Sequence, residues 1–256
     1  MDLRLKFNED EINYDNFRPK YPHELFTDII SYSSVNKESN SLEIGIGTGQ
    51  ATEAILQTGC RVTAIELGDR LSRFVKEKFR KYDNFNVINA DFMALPLEPD
   101  SYDLVYCATA FHWLPIEEGY KRVKSILKSG GTVALFWNHP FPNRKDDISN
   151  RVNRQVYDKY RPFDKEIVEF CEKDCERRKR ELDRFGFKNI ETKLYHRVRT
   201  LTSDSYIALL NTYSDHRALD AKTRNAFEAE MKTSIDDIGG KINIYDTIDL
   251  YLAQKP

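Results

Sequence analysis

Residues Glu43-Ile44-Gly45-Ile46-Gly47-Thr48-Gly49 set three alternating glycines directly after a short apolar run. A glycine-rich turn between a strand and a helix lets a ligand lie against bare backbone, with the first amides of the helix pointing at it. The dinucleotide fingerprint is G-x-G-x-x-G, and Gln50 stands where its third glycine belongs, so a pyrophosphate is the weaker candidate. Two acids sharpen the choice. Glu66 ends the next apolar run, about twenty residues on, where a carboxylate accepts from both ribose hydroxyls in open parallel sheets. Asp91 ends the run after that, where it can accept from an adenine amino group while Leu67 and Phe92 sandwich the ring. A loop, an acid and an acid in this order describe an adenosine site.

Other residues suit the far side of such a ligand. Tyr14, Arg18 and Tyr21 lie in a segment restrained by Pro19 and Pro22. Arg18 can pair with a carboxylate of the ligand or of an acidic substrate, or the segment is a surface arm. In "TAFHW", His112 is a candidate general base for a hydroxyl or amine and equally a loop-holding histidine, while Phe111 and Trp113 are candidate pocket walls. Tyr213 and His216 in "TYSDH" are candidates for the acceptor side, with core or capping roles as alternatives. Cys60, Cys107, Cys171 and Cys175 form no ligand framework, so thiols and no metal site are expected.

The elements that must position these residues alternate. "SLEIGI", "RVTAIEL", "NFNVINAD", "YDLVYCAT" and "TVALFWN" predict strands. Between them, "GQATEAILQTG", "DRLSRFVKEKFRKY" with Asp69 as a cap, and the run from Pro115 to Leu127 predict helices. Such alternation implies crossover connections and a mostly parallel sheet with helices on both faces. Residues 148–184 predict charged helix interrupted at "RPF", with "ERRKR" as a solvated face. A sixth strand follows in "FGFKNIETKLYHRVR", then helix over 203–231 and a last strand in "GGKINIYDTIDLYLAQKP".

Apolar residues make up 40% and charged residues 31% of the 256, which suits one large α/β domain, with disorder expected only in the first dozen residues. A formal net charge of −2 leaves no global footprint for nucleic acid or an anionic membrane, so a small or weakly charged partner is expected. Without a signal-peptide core or an 18-residue apolar run, a cytoplasmic protein is expected.

Together, "LEIGIGTGQ", "AIEL", "NADF" and "YDLVYCATAFHW" resemble class I S-adenosylmethionine-dependent methyltransferases. "YDNFRPKYP" and "ATAFHW" resemble the small-molecule branch related to trans-aconitate methyltransferases, as does "LLNTYSDHRAL". The resemblance implies a Rossmann-like, seven-stranded, mostly parallel sheet with an antiparallel last strand. One domain is expected over 1–256, with an N-terminal arm and helix (1–36), a cofactor-binding core (40–138), a helical cap insertion (140–184) and C-terminal strands and helix (185–256). The family's loop, E/D-x-G-x-G-x-G, is matched without departure by Glu43 to Gly49. By resemblance, Glu43 and the Gly45, Gly47 and Gly49 backbone hold the methionine part of S-adenosylmethionine, Glu66 the ribose, and Asp91 and Phe92 the adenine, with Tyr14, Arg18, Gln50 and Leu67 as further cofactor-binding candidates. Ala108 and Thr109 line the reacting end. Tyr21, Phe111, His112, Trp113, Tyr213 and His216 fall to the acceptor, with His112 the candidate catalytic residue. The expected reaction transfers methyl to a small-molecule acceptor, at oxygen or carboxyl, leaving S-adenosylhomocysteine. A cofactor-binding regulator without transfer, or a methyltransferase for RNA or protein, are the alternatives. A nucleic-acid amino-methyltransferase would carry an Asn/Asp-Pro-Pro-aromatic segment where this chain has "ATAFHW".

Overall fold

The computed structural model describes residues 11–162 and 167–256, so most of the segment expected to be disordered, and Phe163 of the "RPF" break, lie outside the described residues. Helices α1 (Glu11–Phe17) and α2 (His23–Ser33) lead into β1 (Asn40–Ile44), α3 (Thr52–Leu56), β2 (Arg61–Glu66), α4 (Asp69–Lys78) and β3 (Phe85–Asn89). There follow β4 (Tyr102–Ala108), α5 (Ile116–Ile126), β5 (Leu127–Phe141), α6 (Ile148–Tyr160) and α7 (Glu176–Arg184). The chain closes with β6 (Lys188–Thr202), α8 (Ser203–Leu210), α9 (Ser214–Arg217), α10 (Ala221–Asp236) and β7 (Lys241–Gln254).

The seven strands form one sheet in the order β3-β2-β1-β4-β5-β7-β6. Strands β1 to β5 pair in parallel, and β7 runs antiparallel to both β5 and β6. The reversed last strand is therefore present, inserted inside the sheet with β6 at the edge. Strand order reverses between β1 and β4, the switch point outside whose carboxyl ends open sheets bind ligands.

Side-chain alternation divides the sheet between two cores. Leu104 and Tyr106 of β4 with Ala134 and Phe136 of β5 face α2, α3 and α4. Val105, Cys107, Val133 and Leu135 face α5 and Leu182 of α7. A third cluster joins Tyr157 of α6, Tyr206 of α8 and Phe227 and Met231 of α10 to Ile242 and Ile244 of β7. The cap expected over 140–184 is thus split. Its first helix joins α8 and α10, whereas α7 packs on the sheet, because only α7 offers Leu182 and a buried Arg178 to that face.

Other expectations shift locally. Asp69 is the first residue of α4 rather than its cap, and pairs with Arg73 at 2.8 Å; Gly68 holds the cap position. The helix over 203–231 breaks after Leu210 and restarts at Ala221, where Asp220 accepts from the Thr223 N–H. "ERRKR" is not wholly solvated: Arg178 is buried between Glu181 and Trp137. Among the described residues no helix is long and apolar enough to cross a membrane, and no cluster of His, Cys, Asp or Glu could hold a metal ion.

Candidate cofactor and acceptor site

A cavity of about 280 Å³ opens at the carboxyl ends of β1, β2, β3 and β4. Gly45, Gly47 and Gly49 all have positive φ, at 69°, 59° and 82°, a region that L side chains rarely adopt. Their surroundings differ. A Cβ on Gly45 would lie 2.8 Å from the Ala110 Cβ, and one on Gly49 would lie 2.4 Å from the Phe79 ring. Gly47 borders the cavity, with Tyr14 as the nearest neighbour at 3.7 Å. Gly45 and Gly47 therefore border the cavity, Gly47 with the more open backbone, while Gly49 is required by packing on α4's end and does not line this cavity.

Glu66 is buried, and both of its oxygens are held: Oε2 accepts from the Gly47 N–H at 2.9 Å and Oε1 from the Gly68 N–H at 2.8 Å. Burial raises its pKa and these backbone donors oppose the rise. Each carboxylate oxygen keeps acceptor capacity toward the cavity. Asp91 lines the same wall and accepts from the Met93 N–H at 2.8 Å, with Leu67, Leu71 and Phe92 supplying apolar surface.

Glu43 is brought beneath the loop, not into the cavity. Its Oε2 accepts from Thr52 at 2.7 Å and Tyr106 at 2.9 Å, while Oε1 is buried without a hydrogen-bond partner among the described residues. Burial pushes its pKa up to about 8, against the pull of those two hydroxyls. The folded chain then holds a proton that the unfolded chain releases above pH 4.5, so stability falls as pH rises from about 5 to 8. Glu43→Gln should remove that slope and exceed the wild type at pH 8 by on the order of 3 kcal/mol in denaturant unfolding. Parallel stability curves for the two proteins would contradict it.

The N-terminal segment covers the cavity. Lys78 donates to Asp15 at 2.6 Å and to the Thr48 carbonyl at 2.8 Å, tying α1 to the glycine loop. The Arg18 guanidinium lies over the rings of Tyr14 and Tyr213, at 4.8 and 4.5 Å, and donates to the Thr212 carbonyl at 2.8 Å. Tyr14, Arg18 and Tyr213 line the main cavity; Tyr21 and Gln50 line a smaller adjoining one with Asn138. Tyr21 bonds Thr109 Oγ1 at 2.6 Å and meets Phe136 edge-on. Thr109 itself has φ 52°, unusual for a β-branched residue, and its N–H donates to Phe136. Tyr21 therefore braces a strained residue at the cavity's centre.

His112 and Trp113 line the cavity, but Phe111 does not: it is fully buried against Tyr120 on the α5 side. The Trp137 indole N–H points at His112 Nδ1, 3.1 Å away. An indole nitrogen only donates, so Nδ1 is the bare nitrogen of the ring. Burial, and the charge of Arg178 behind Trp137, hold the imidazole pKa below its ordinary value. The neutral ring therefore carries its proton on Nε2. His216 also departs from expectation: it is buried, bonded to Tyr157 at 2.8 Å, and lines a separate chamber instead of the main cavity.

Residues 42–135 match the family described as "Methyltransferase domain". An uncharacterized methyltransferase of Schizosaccharomyces pombe is 28% identical over 235 residues, spanning 91% of this chain and 88% of its own. The Saccharomyces cerevisiae protein named "Probable S-adenosylmethionine-dependent methyltransferase CRG1" is 32% identical over 160 residues, 61% of this chain and 53% of that one. These matches support a class I S-adenosylmethionine-dependent methyltransferase. In fold it is similar to Haemonchus contortus phosphoethanolamine N-methyltransferase 2, solved with S-adenosyl-L-methionine, at TM-score 0.58 and 16% identity over all of this chain and 60% of that one.

The residues of this methyltransferase fit that cofactor. Bare backbone at Gly47, a doubly anchored carboxylate at Glu66 and an apolar slot ending in Asp91 border one volume. Sequence reasoning missed Trp137, Arg178 and Asp215. Trp137 lies on the fifth strand beside the switch point, a position that the strand-end logic applied to Glu66 and Asp91 would have reached. Asp215 lies between Tyr213 and His216 and lines the main cavity, paired with Arg161 at 2.9 Å. Nothing in the local pattern marks Arg178.

Proposed function

We propose that this methyltransferase moves the methyl group of S-adenosylmethionine onto a carboxylate oxygen of a small-molecule acid. The reading rests on His112, which offers the cavity an N–H rather than a base, because its Nδ1 lone pair is engaged by Trp137. A hydroxyl or ammonium acceptor must lose a proton during transfer, whereas a carboxylate has its lone pair free. Although burial raises Asp215, its ion pair with Arg161 helps hold the carboxyl below the ordinary range, which makes it a weak base. Arg18 adds positive charge on the same side, and the cover formed by α1 and Tyr213 suits a small acceptor better than a polymer.

In this assignment Glu66 accepts from the ribose hydroxyls, Asp91 from the adenine, and Leu67 and Phe92 flank the ring. Backbone at Gly45 to Gly47, with Ala108, Thr109 and Arg18, holds the methionine part. Bound S-adenosylmethionine supplies a methyl carbon made electrophilic by the adjacent sulfonium. The chain's own part is alignment: Trp113 walls the approach, Thr109 fixes the strand end, and the His112 Nε2–H orients the incoming carboxylate. Such positioning can supply about 7–11 kcal/mol of barrier lowering.

Metabolite extracts incubated with methyl-labelled cofactor should yield label that alkali releases as methanol, the signature of an ester. Alkali-stable label would reject carboxyl transfer, and label found only in RNA or protein would reject the small-molecule reading. Once an acceptor is identified, His112→Asn, which retains a side-chain N–H, should lose less than about tenfold in kcat/KM, against roughly 10–100-fold for His112→Ala. Equal losses in the two variants would restore His112 as a base.

A further inference from the structure

A second chamber of about 280 Å³ adjoins the cofactor cavity, and Tyr213 and Asp215 belong to the walls of both. It lies within the helical layer, walled by Leu209, Leu210 and Ile244 with the rings of Tyr157 and Tyr206. None of the residues assigned above to the adenosine lines it. Its polar atoms are mostly engaged with one another. Tyr206 donates to Asn153 Oδ1 at 2.7 Å, Asn153 Nδ2 to the Pro142 carbonyl at 2.9 Å, and Tyr157 meets His216 Nε2 at 2.8 Å. Burial brings the His216 pKa down to about 4, opposed by Asp215 and assisted by Arg161, so this imidazole brings no charge near neutrality. The remaining charge, on Asp215, stands at the threshold and is paired with Arg161. One lining residue stands apart: the side chain of Asn143 has its Oδ1 buried with no hydrogen-bond partner among the described residues. A buried acceptor left so is costly, and a ligand donor would satisfy it.

We propose that this chamber receives the body of the acid substrate, an uncharged and largely apolar ring or chain with one hydrogen-bond donor facing Asn143. Its carboxylate stays on the cofactor-cavity side of Tyr213, where the Arg18 guanidinium lies over that ring, and faces His112. The proposal rests on the carboxyl-transfer reading above, and it adds the class of acceptor: an amphipathic acid with a neutral body, in place of a polar polyacid. An apolar wall with few convergent polar groups is the usual make-up of a small-molecule site.

The test uses the full chain with S-adenosylhomocysteine present and 3-(4-hydroxyphenyl)propanoate as the probe, read by calorimetry. The wild type should bind this acid several-fold more tightly than 3-phenylpropanoate, which lacks the donor. Leu210→Trp, which fills the chamber, should weaken probe binding about tenfold or more while S-adenosylhomocysteine affinity is unchanged. Asn143→Phe, at a half-buried loop position, should do the same without disturbing the core, so a folding failure of the first variant does not decide the matter. No probe binding to the wild type, or undiminished binding in Asn143→Phe, would overturn the proposal. Alkali-stable product alongside intact, chamber-dependent probe binding would refute carboxyl transfer separately and leave the chamber assignment standing.

Discussion

Glu66→Ala should raise the dissociation constant for S-adenosylmethionine by about 100-fold or more, a loss of roughly 3 kcal/mol. The carboxylate does two things at once in this fold. Its oxygens pin the Gly47 and Gly68 amides, fixing the glycine loop relative to the end of β2, and in the proposed complex they accept from the ribose hydroxyls. Alanine leaves two backbone donors, and the two ligand hydroxyls of the proposed complex, without their acceptor. Glu66→Gln keeps only one of the two acceptor oxygens and should fall between wild type and alanine, near tenfold. Titration calorimetry reads all three proteins directly. Equal affinities for wild type and Glu66→Ala would remove Glu66 from the cofactor site.

The second large effect concerns stability. Gly49→Ala should cost about 3 kcal/mol, the sum of a left-handed backbone penalty and a Cβ driven into a packed ring. The left-handed term is present because φ at Gly49 is 82°; the steric term because the new Cβ would lie 2.4 and 2.7 Å from two atoms of Phe79, itself buried against Phe85. For a chain of this length that corresponds to a melting temperature lower by roughly 6–12 °C. Gly130→Ala is the internal control: φ there is 77°, yet an added Cβ meets nothing within 4 Å. It should therefore show only the backbone penalty, about 1–2 kcal/mol. If the two substitutions destabilise equally, the contact with Phe79 has no energetic weight.

The strand and helix alternation, the three glycines and the acids at Glu66 and Asp91 were legible because each depends on local chemistry. Period-2 alternation through "YDLVYCA" places Leu104 and Tyr106 on one core and Val105 and Cys107 on the other, whichever partners those faces meet. Likewise a carboxylate at a parallel strand's end has one direction to face. Where the reading went astray, a distant partner had intervened. Phe111, adjacent to two cavity residues, turns away because Tyr120 of α5 offers its ring an apolar contact. His216 is withdrawn by Tyr157, 59 residues earlier, into the layer that α6 shares with α8 and α10.

The sheet, the glycine loop and the strand-end positions of Glu66 and Asp91 could be read from the chain alone, since they follow from periodicity, from glycine's access to positive φ and from where a strand stops. The folded chain was needed to show which glycines border the cavity, which nitrogen of His112 carries the proton, and that a second chamber lies behind Tyr213. Those features arise between side chains brought together from Trp137, Phe79, Asn143 and helices α6, α8 and α10, and contacts across such separations leave no period in the chain.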